Sequence, residues 1–204
     1  MLDIENKFIF LHVPKNGGTS FEKIFKYRGR KHNRQKDYVL KLKKLSEKYE
    51  EYIKVAIVRN PWDKAVSEYK WHTNDHMPFP ADCVKELFKG MDFKSFLKKF
   101  LEIKKEDIPE KDDLWFYQHF ESHQIPQVEF LDPVENINVF IRFETLQEDF
   151  DNFMSSIGLE NIRLPHIFKN KRKKYTEYYD EESIKIIEDV YSKDIEYFGY
   201  KFGE

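Results

Sequence analysis

Phe8-Ile9-Phe10-Leu11-His12-Val13-Pro14-Lys15-Asn16-Gly17-Gly18-Thr19-Ser20 reads as a buried strand, a tight glycine turn and a helix start. Phe8 to Val13 is a short apolar run of the kind that fills a parallel strand covered on both faces. Gly17 and Gly18 permit a turn that a side chain would forbid. Thr19 stands three residues before Glu22, a capping-box spacing, and Phe21, Ile24 and Phe25 set one apolar helix face up to Gly29. A glycine turn entering a helix points backbone N–H groups and the positive dipole end at one spot, which suits a phosphate. Lys15 adds a mobile positive charge beside it. The plainer alternative is an ordinary βα turn. The stretch is not a Walker A loop, which needs Lys and Ser/Thr directly after its second glycine; here the Lys precedes both glycines.

The chain has 204 residues, 40% hydrophobic and 17% aromatic, with formal net charge -2. That length supports one core, so a single domain over 1–204 is expected, rich in Phe and Tyr. Near-zero net charge argues against a general nucleic-acid binder. Two stretches are nonetheless basic. Glu22 to Lys44 holds ten Lys/Arg against two acids, and Lys169 to Lys174 has five basic residues in six. Such runs are usually solvated surface, but both could face an anionic ligand. Cys83 is the only cysteine, so no internal disulfide marks an oxidising compartment. No apolar run reaches membrane-spanning length, and the N-terminus lacks a signal-peptide pattern. A cytoplasmic protein with no membrane partner is the default expectation.

Helices are expected over Asp37–Glu51, from Lys64 to Trp71, around Phe93–Leu101, from Leu114 to His123, and in a last segment capped by Asp180. Ile53 to Val58 is a second buried strand, closed by Arg59-Asn60-Pro61, with Pro61 suited to a helix first turn. Val128 to Leu131 and Val139 to Phe143 read as strands, and Thr145 with Glu148 as a second capping box before a helix closed by Gly158. Strand–helix alternation in the first part predicts an α/β fold, a central parallel sheet flanked by helices.

Arg59 lies at the carboxyl end of the second strand, where open α/β sheets bind ligands. Ser67 follows eight residues on, about two helical turns. Arg59 can grip a phosphate bidentately and Ser67 can donate a hydroxyl. The alternative pairs Arg59 with a carboxylate and leaves Ser67 on a plain helix surface. A P-loop kinase or ATPase normally places an Asp on a later strand to hold Mg²⁺. With Arg59 there instead, the site suits a ligand carrying two separated anionic groups.

Phe-Leu-His-Val-Pro-Lys-Asn-Gly-Gly-Thr-Ser, followed by Ala-Ile-Val-Arg-Asn-Pro-Trp-Asp-Lys-Ala-Val-Ser-Glu-Tyr, resembles the two cofactor motifs of PAPS-dependent sulfotransferases. It resembles most the carbohydrate branch that includes heparan sulfate 2-O-sulfotransferase and many bacterial relatives. The likeness continues weakly at His123-Gln-Ile-Pro-Gln-Val-Glu-Phe-Leu and again in Tyr178-Tyr179-Asp180-Glu181-Glu182. It implies a single P-loop-like domain, PAPS as co-substrate with PAP as product, and no metal. It places Pro14, Lys15, Asn16, Gly17, Gly18, Thr19 and Ser20 around the 5′-phosphosulfate, and Arg59 and Ser67 on the 3′-phosphate. A late basic loop, Lys171, Arg172 and Lys173, would clamp the 3′-phosphate and adenine. Asn16 departs from the family's usual small hydroxyl residue.

The implied reaction is in-line transfer of a sulfuryl group to an acceptor hydroxyl, with a sugar or glycan as the expected acceptor. Lys15 would stabilise charge on the leaving phosphate. His32, in the connector before the second motif, is the favoured general base. His72, His123, Glu22 and Glu68 are the other candidates. His12 reads as structural, and His76, His119 and His166 as surface or packing residues. Two rival classes stay open: a P-loop-like nucleotide or small-molecule kinase, and a non-catalytic module binding a phosphonucleotide or polyanion.

Overall fold

The computed structural model describes residues 1–29, 32–73, 86–104, 120–160, 162–165 and 173–204. These form two compact units. The first joins Met1–Arg59 to Gln127–Asn170, and the second joins Asn60–Pro126 to Lys171–Glu204.

The first unit is built on a sheet in the order β1 (Leu2–Asp3), β2 (Phe8–Leu11), β3 (Ile53–Val58) and β4 (Val139–Arg142). β2 pairs parallel with β3, Phe8 opposite Ile53 and Leu11 opposite Ala56, and β3 pairs parallel with β4. The expected α/β fold with a central parallel sheet is therefore present, with one addition: the short edge strand β1 runs antiparallel to β2. All four residues of β2 are buried, as are the last five of β3. This is the near-continuous apolar reading of strands covered on both faces. Phe8, Phe10, Val55 and Ile57 of the strands pack with Phe21 of helix α1 (Gly18–Ile24), and with Phe150 and Phe153 further along the chain. Phe10 and Phe21 stack at 4.1 Å between ring centroids.

Four local expectations fail here. α1 stops at Ile24 rather than running toward Gly29, because Lys26 turns to φ 51. Its N–H and that of Tyr27 then bond back to the Lys23 and Glu22 carbonyls at 3.1 and 3.0 Å, closing the helix. Helix α2 covers Gln35–Lys44 and gives way to a 3₁₀ turn at Tyr49–Glu51 instead of continuing to Glu51. After α3 (Pro61–His72) and α4 (Phe93–Glu102) of the second unit, the segment read as a strand at Val128 is instead a helical turn, α5 (Gln127–Phe130). Its register follows the Gln127 side chain, whose bonds are described below. Helix α6 (Leu146–Ser156) begins after Thr145 without a side-chain cap, since the Thr145 hydroxyl donates to Asp149 Oδ2 at 2.8 Å. Gly158, at φ 75, follows its end as expected.

In the second unit, α3 opens on Asn60, whose Oδ1 accepts from the N–H groups of Trp62 at 3.0 Å and Asp63 at 3.3 Å, with Pro61 in the first turn. α4 buries Phe93, Phe96, Leu97 and Phe100. Helices α7 (Glu181–Val190) and α8 (Ser192–Phe198) end the chain. Asp180 caps α7 by accepting from the Ser183 N–H at 2.9 Å. Among the described residues, no helix is long and apolar enough to cross a membrane. Cys83, His76, His119 and His166 lie outside the described residues.

Candidate active site

The chain leaves β2 through His12, Val13 and Pro14, all buried, and turns at Lys15 and Gly17, whose φ values are 65 and 84. Gly17 adopts that conformation without cost, whereas Lys15 does so against its side chain. Non-glycine residues held in this region concentrate at functional sites. Gly18 is required for a second reason: a Cβ there would lie 2.5 Å from His12 Cδ2 and 2.6 Å from Nε2. The glycines therefore shape the turn and admit the His12 ring beneath it.

Two buried amides and one guanidinium tie this loop to the end of β3. Asn16, fully buried, donates from Nδ2 to the Ile57 carbonyl at 2.8 Å and to Gln127 Oε1 at 2.7 Å. Gln127 Oε1 also accepts from the Arg59 N–H at 2.9 Å, and its Nε2 donates to the Arg59 carbonyl at 2.8 Å. Arg59 donates from Nη1 to the Lys15 carbonyl at 2.7 Å and lies 3.8 Å over the Phe143 ring. Arg59 thus meets a backbone carbonyl and an aromatic face, both suited to a planar guanidinium. The Asn16 amide spans two partners. Gln127 was not singled out from sequence. Its visible signal is its place in the weakly matching His123-Gln-Ile-Pro-Gln segment.

The loop also carries a cluster of ionisable groups. His12 Nδ1 lies 2.9 Å from Glu22 Oε1, both nearly inaccessible. Glu22 therefore faces His12 and does not form the capping box with Thr19, and α1 starts at Gly17 without a side-chain cap. The half-buried His32 sets its Nδ1 2.9 Å from the His12 carbonyl, with the two rings 4.6 Å apart. A carbonyl can only accept, so His32 Nδ1 carries hydrogen, and in the neutral ring the lone pair is on Nε2.

The unit thus gathers Pro14 through Ser20, Arg59 and His32 around the end of β2 and β3. Thr19 and Ser20, both half-buried, occupy the first turn of α1. α1 has only seven residues, so its dipole is a weaker contributor than the sequence suggested. Backbone amides, Lys15 and Arg59 carry the positive character of the loop.

Ser67, half-buried on α3, belongs to the second unit. Lys173 is exposed ahead of the 3₁₀ turn at Tyr175–Tyr178, and Lys171 and Arg172 lie outside the described residues. The same unit holds His72 and His123 in a buried network around Glu68. His123 Nδ1 is 2.9 Å from Glu68 Oε2, Lys64 Nζ donates to the His123 carbonyl at 2.8 Å, and His72 Nδ1 meets the Glu68 carbonyl at 2.9 Å. The His72 ring packs 5.2 to 5.8 Å from Phe88, Phe96, Phe100 and Phe120. These contacts make His72, His123 and Glu68 parts of a core, which argues against each of them as the base.

A sequence profile described as the sulfotransferase family matches residues 1–201. Carbohydrate sulfotransferase 10 of Xenopus laevis is 24% identical over 239 aligned positions, which cover 97% of this chain and 66% of that relative. The chain thus spans slightly less than two thirds of the relative's length. No solved structure matches. With the family match running across almost the whole length, the chain belongs to the sulfotransferase family.

Proposed function

We propose that this protein transfers a sulfuryl group from PAPS to a hydroxyl of a carbohydrate acceptor. The observation that carries the reading is the tie between the Lys15 loop and the end of β3: the Arg59 guanidinium bonds the Lys15 carbonyl at 2.7 Å beside a glycine turn that admits no Cβ at Gly18. Such a cradle of backbone amides with two cationic side chains fits a phosphorylated nucleotide. The relative's name supports the choice of a sugar acceptor.

PAPS supplies a sulfuryl group activated as a mixed anhydride with its 5′-phosphate. Amides from Gly17 to Ser20, with the Thr19 and Ser20 hydroxyls, would hold that phosphate, and Asn16 with Gln127 would keep the loop in shape. Lys15 would meet the negative charge that grows on the phosphate oxygen as the S–O bond breaks. Arg59 would hold the 3′-phosphate. His32 would take the proton from the acceptor hydroxyl at Nε2 as the new O–S bond forms. Its Nδ1, bound to the His12 carbonyl, fixes the tautomer that leaves Nε2 basic.

The test is thermal stability with PAP, 5′-AMP and ATP plus Mg²⁺ in parallel, on wild type and Arg59→Ala. A ligand at a hundred times its dissociation constant stabilises by about 2.7 kcal/mol. The expected result is a shift with PAP that AMP does not reproduce and that Arg59→Ala loses. A shift confined to ATP plus Mg²⁺ would replace the reading with a kinase. Absence of both a PAP shift and sulfate transfer from PAPS would end it.

A further inference from the structure

We propose that Glu22 decides which of two adjacent imidazoles carries a proton: by holding it on His12, Glu22 keeps His32 in the neutral, proton-accepting form. This rests on the reading of His32 as the base. It makes Glu22 and His12 positioning residues of that site.

Glu22 lies almost wholly out of solvent, and an ionised carboxylate at that depth needs a counter-charge. His12 offers one at 2.9 Å, through Nδ1. The His12 ring lies close against Gly18, where a Cβ would come within 2.5 Å of it. Its centroid is 4.6 Å from that of His32, in an edge-to-face arrangement at 63°. Two imidazolium ions at that separation repel, so a proton held on His12 disfavours one on His32. The two histidines are also joined by a hydrogen bond, since the His12 carbonyl accepts from His32 Nδ1.

Three other titratable groups near this cluster are driven away from the neutral range. The Met1 amine, bonded to the Phe10 carbonyl at 2.6 Å, is brought down to about 5 by burial, against the pull of Glu22 and with a push from Lys41. Tyr27 beyond α1 and Tyr38 of α2 are both pushed up, by burial first, with Glu22 adding to each. Of the groups named, the two imidazoles are the ones whose charge can change near neutral pH.

The experiment follows the Cε1–H resonances of His12 and His32 by NMR through a pH titration of wild type, Glu22→Gln and Glu22→Asp. In wild type His32 should titrate below His12. In Glu22→Gln the His12 midpoint should fall and that of His32 should rise by about one pH unit or more as the neighbouring charge is lost. The acid limb of the pH–rate profile for sulfate transfer should move up by the same amount. Glu22→Asp keeps the charge and should restore the wild-type order. A folded Glu22→Gln protein with an unmoved His32 midpoint overturns the proposal. If Glu22→Gln does not fold, His32 titrating above His12 in wild type or Glu22→Asp does so instead. PAP-induced thermal shifts on the same samples separate the two readings: a wild type that ignores PAP sinks the sulfotransferase assignment, whatever the titrations show.

Discussion

His12 with Glu22 and His123 with Glu68 are one pairing built twice. In each, an imidazole Nδ1 lies 2.9 Å from a carboxylate oxygen and both side chains are buried. Their surroundings differ. Glu68 has a lysine on its own helix, Lys64 at 3.5 Å, and its neighbour His72 is walled by phenylalanines. Glu22 faces a histidine lodged under a glycine turn, and that histidine's carbonyl holds a second, half-buried ring. The first setting is a finished core, whereas the second ends in a ring that solvent can reach. A buried His–Glu pair therefore says little by itself; the group it hands on to decides whether it serves packing or chemistry.

The largest expected effect lies on the packing side of that comparison. Glu68→Ala leaves Lys64 and His123 without the carboxylate they share, and breaking a buried pair in this way costs about 3–5 kcal/mol. Urea denaturation monitored by tryptophan fluorescence reads it. A loss under about 1 kcal/mol would show that the network is wet and that the contrast with Glu22 is false. On the other side, Lys15→Ala should leave stability near wild type, because Lys15 is only half-buried. It should lower the rate of sulfate transfer on the order of a hundredfold or more. His32→Ala should cost about 10²–10⁴-fold, the usual range for a lost general base. If Lys15→Ala instead lost stability and kept its rate, the site would lie elsewhere.

Gly18→Ala probes the seat of the His12 ring. The added methyl would meet His12 at 2.5 Å, and overpacking of this kind costs about 1–3 kcal/mol. It should also weaken PAP-induced stabilisation, since the ring can yield only by distorting the loop. Gly158→Ala, at φ 75 but with open space around it, should lose stability through backbone strain and leave the PAP response intact.

What could be read from the sequence follows the range of the interactions involved. β2, β3 and the Asn60-Pro61 helix start were legible because apolar runs and caps act over a few residues. Lys15 and Arg59 stood out as candidates because each follows such a run. The fate of Glu22 was not. Its spacing from Thr19 fits a capping box, but His12, ten residues earlier, claims the carboxylate, and only the folded sheet and helix bring the two together. Gln127 was hidden for the same reason, since its partners are Asn16 and Arg59. The strand expected at Val128–Leu131 failed because a short apolar run has no period of its own, and the bonds of Gln127 set the local backbone.

The smallest predicted effect concerns an ion pair at the surface, which sets a scale for the buried ones. Lys94 Nζ lies 2.7 Å from Asp180 and 3.0 Å from Glu182, with all three side chains about half exposed. Asp180 is held well below the usual carboxylate range, first by the Lys94 ammonium and then by the Ser183 N–H. A depressed native value means stability that is present above the unfolded value and lost as pH falls through the native one. Asp180→Asn removes the charge and keeps a good helix cap. Its melting temperature should therefore trail wild type slightly at neutral pH, and the gap should close in acid and in high salt, as exposed pairs are screened. Should that gap match the loss from Glu68→Ala, burial would not be what separates strong pairs from weak ones in this protein. The contrast between its two histidine–glutamate pairs would then need another cause.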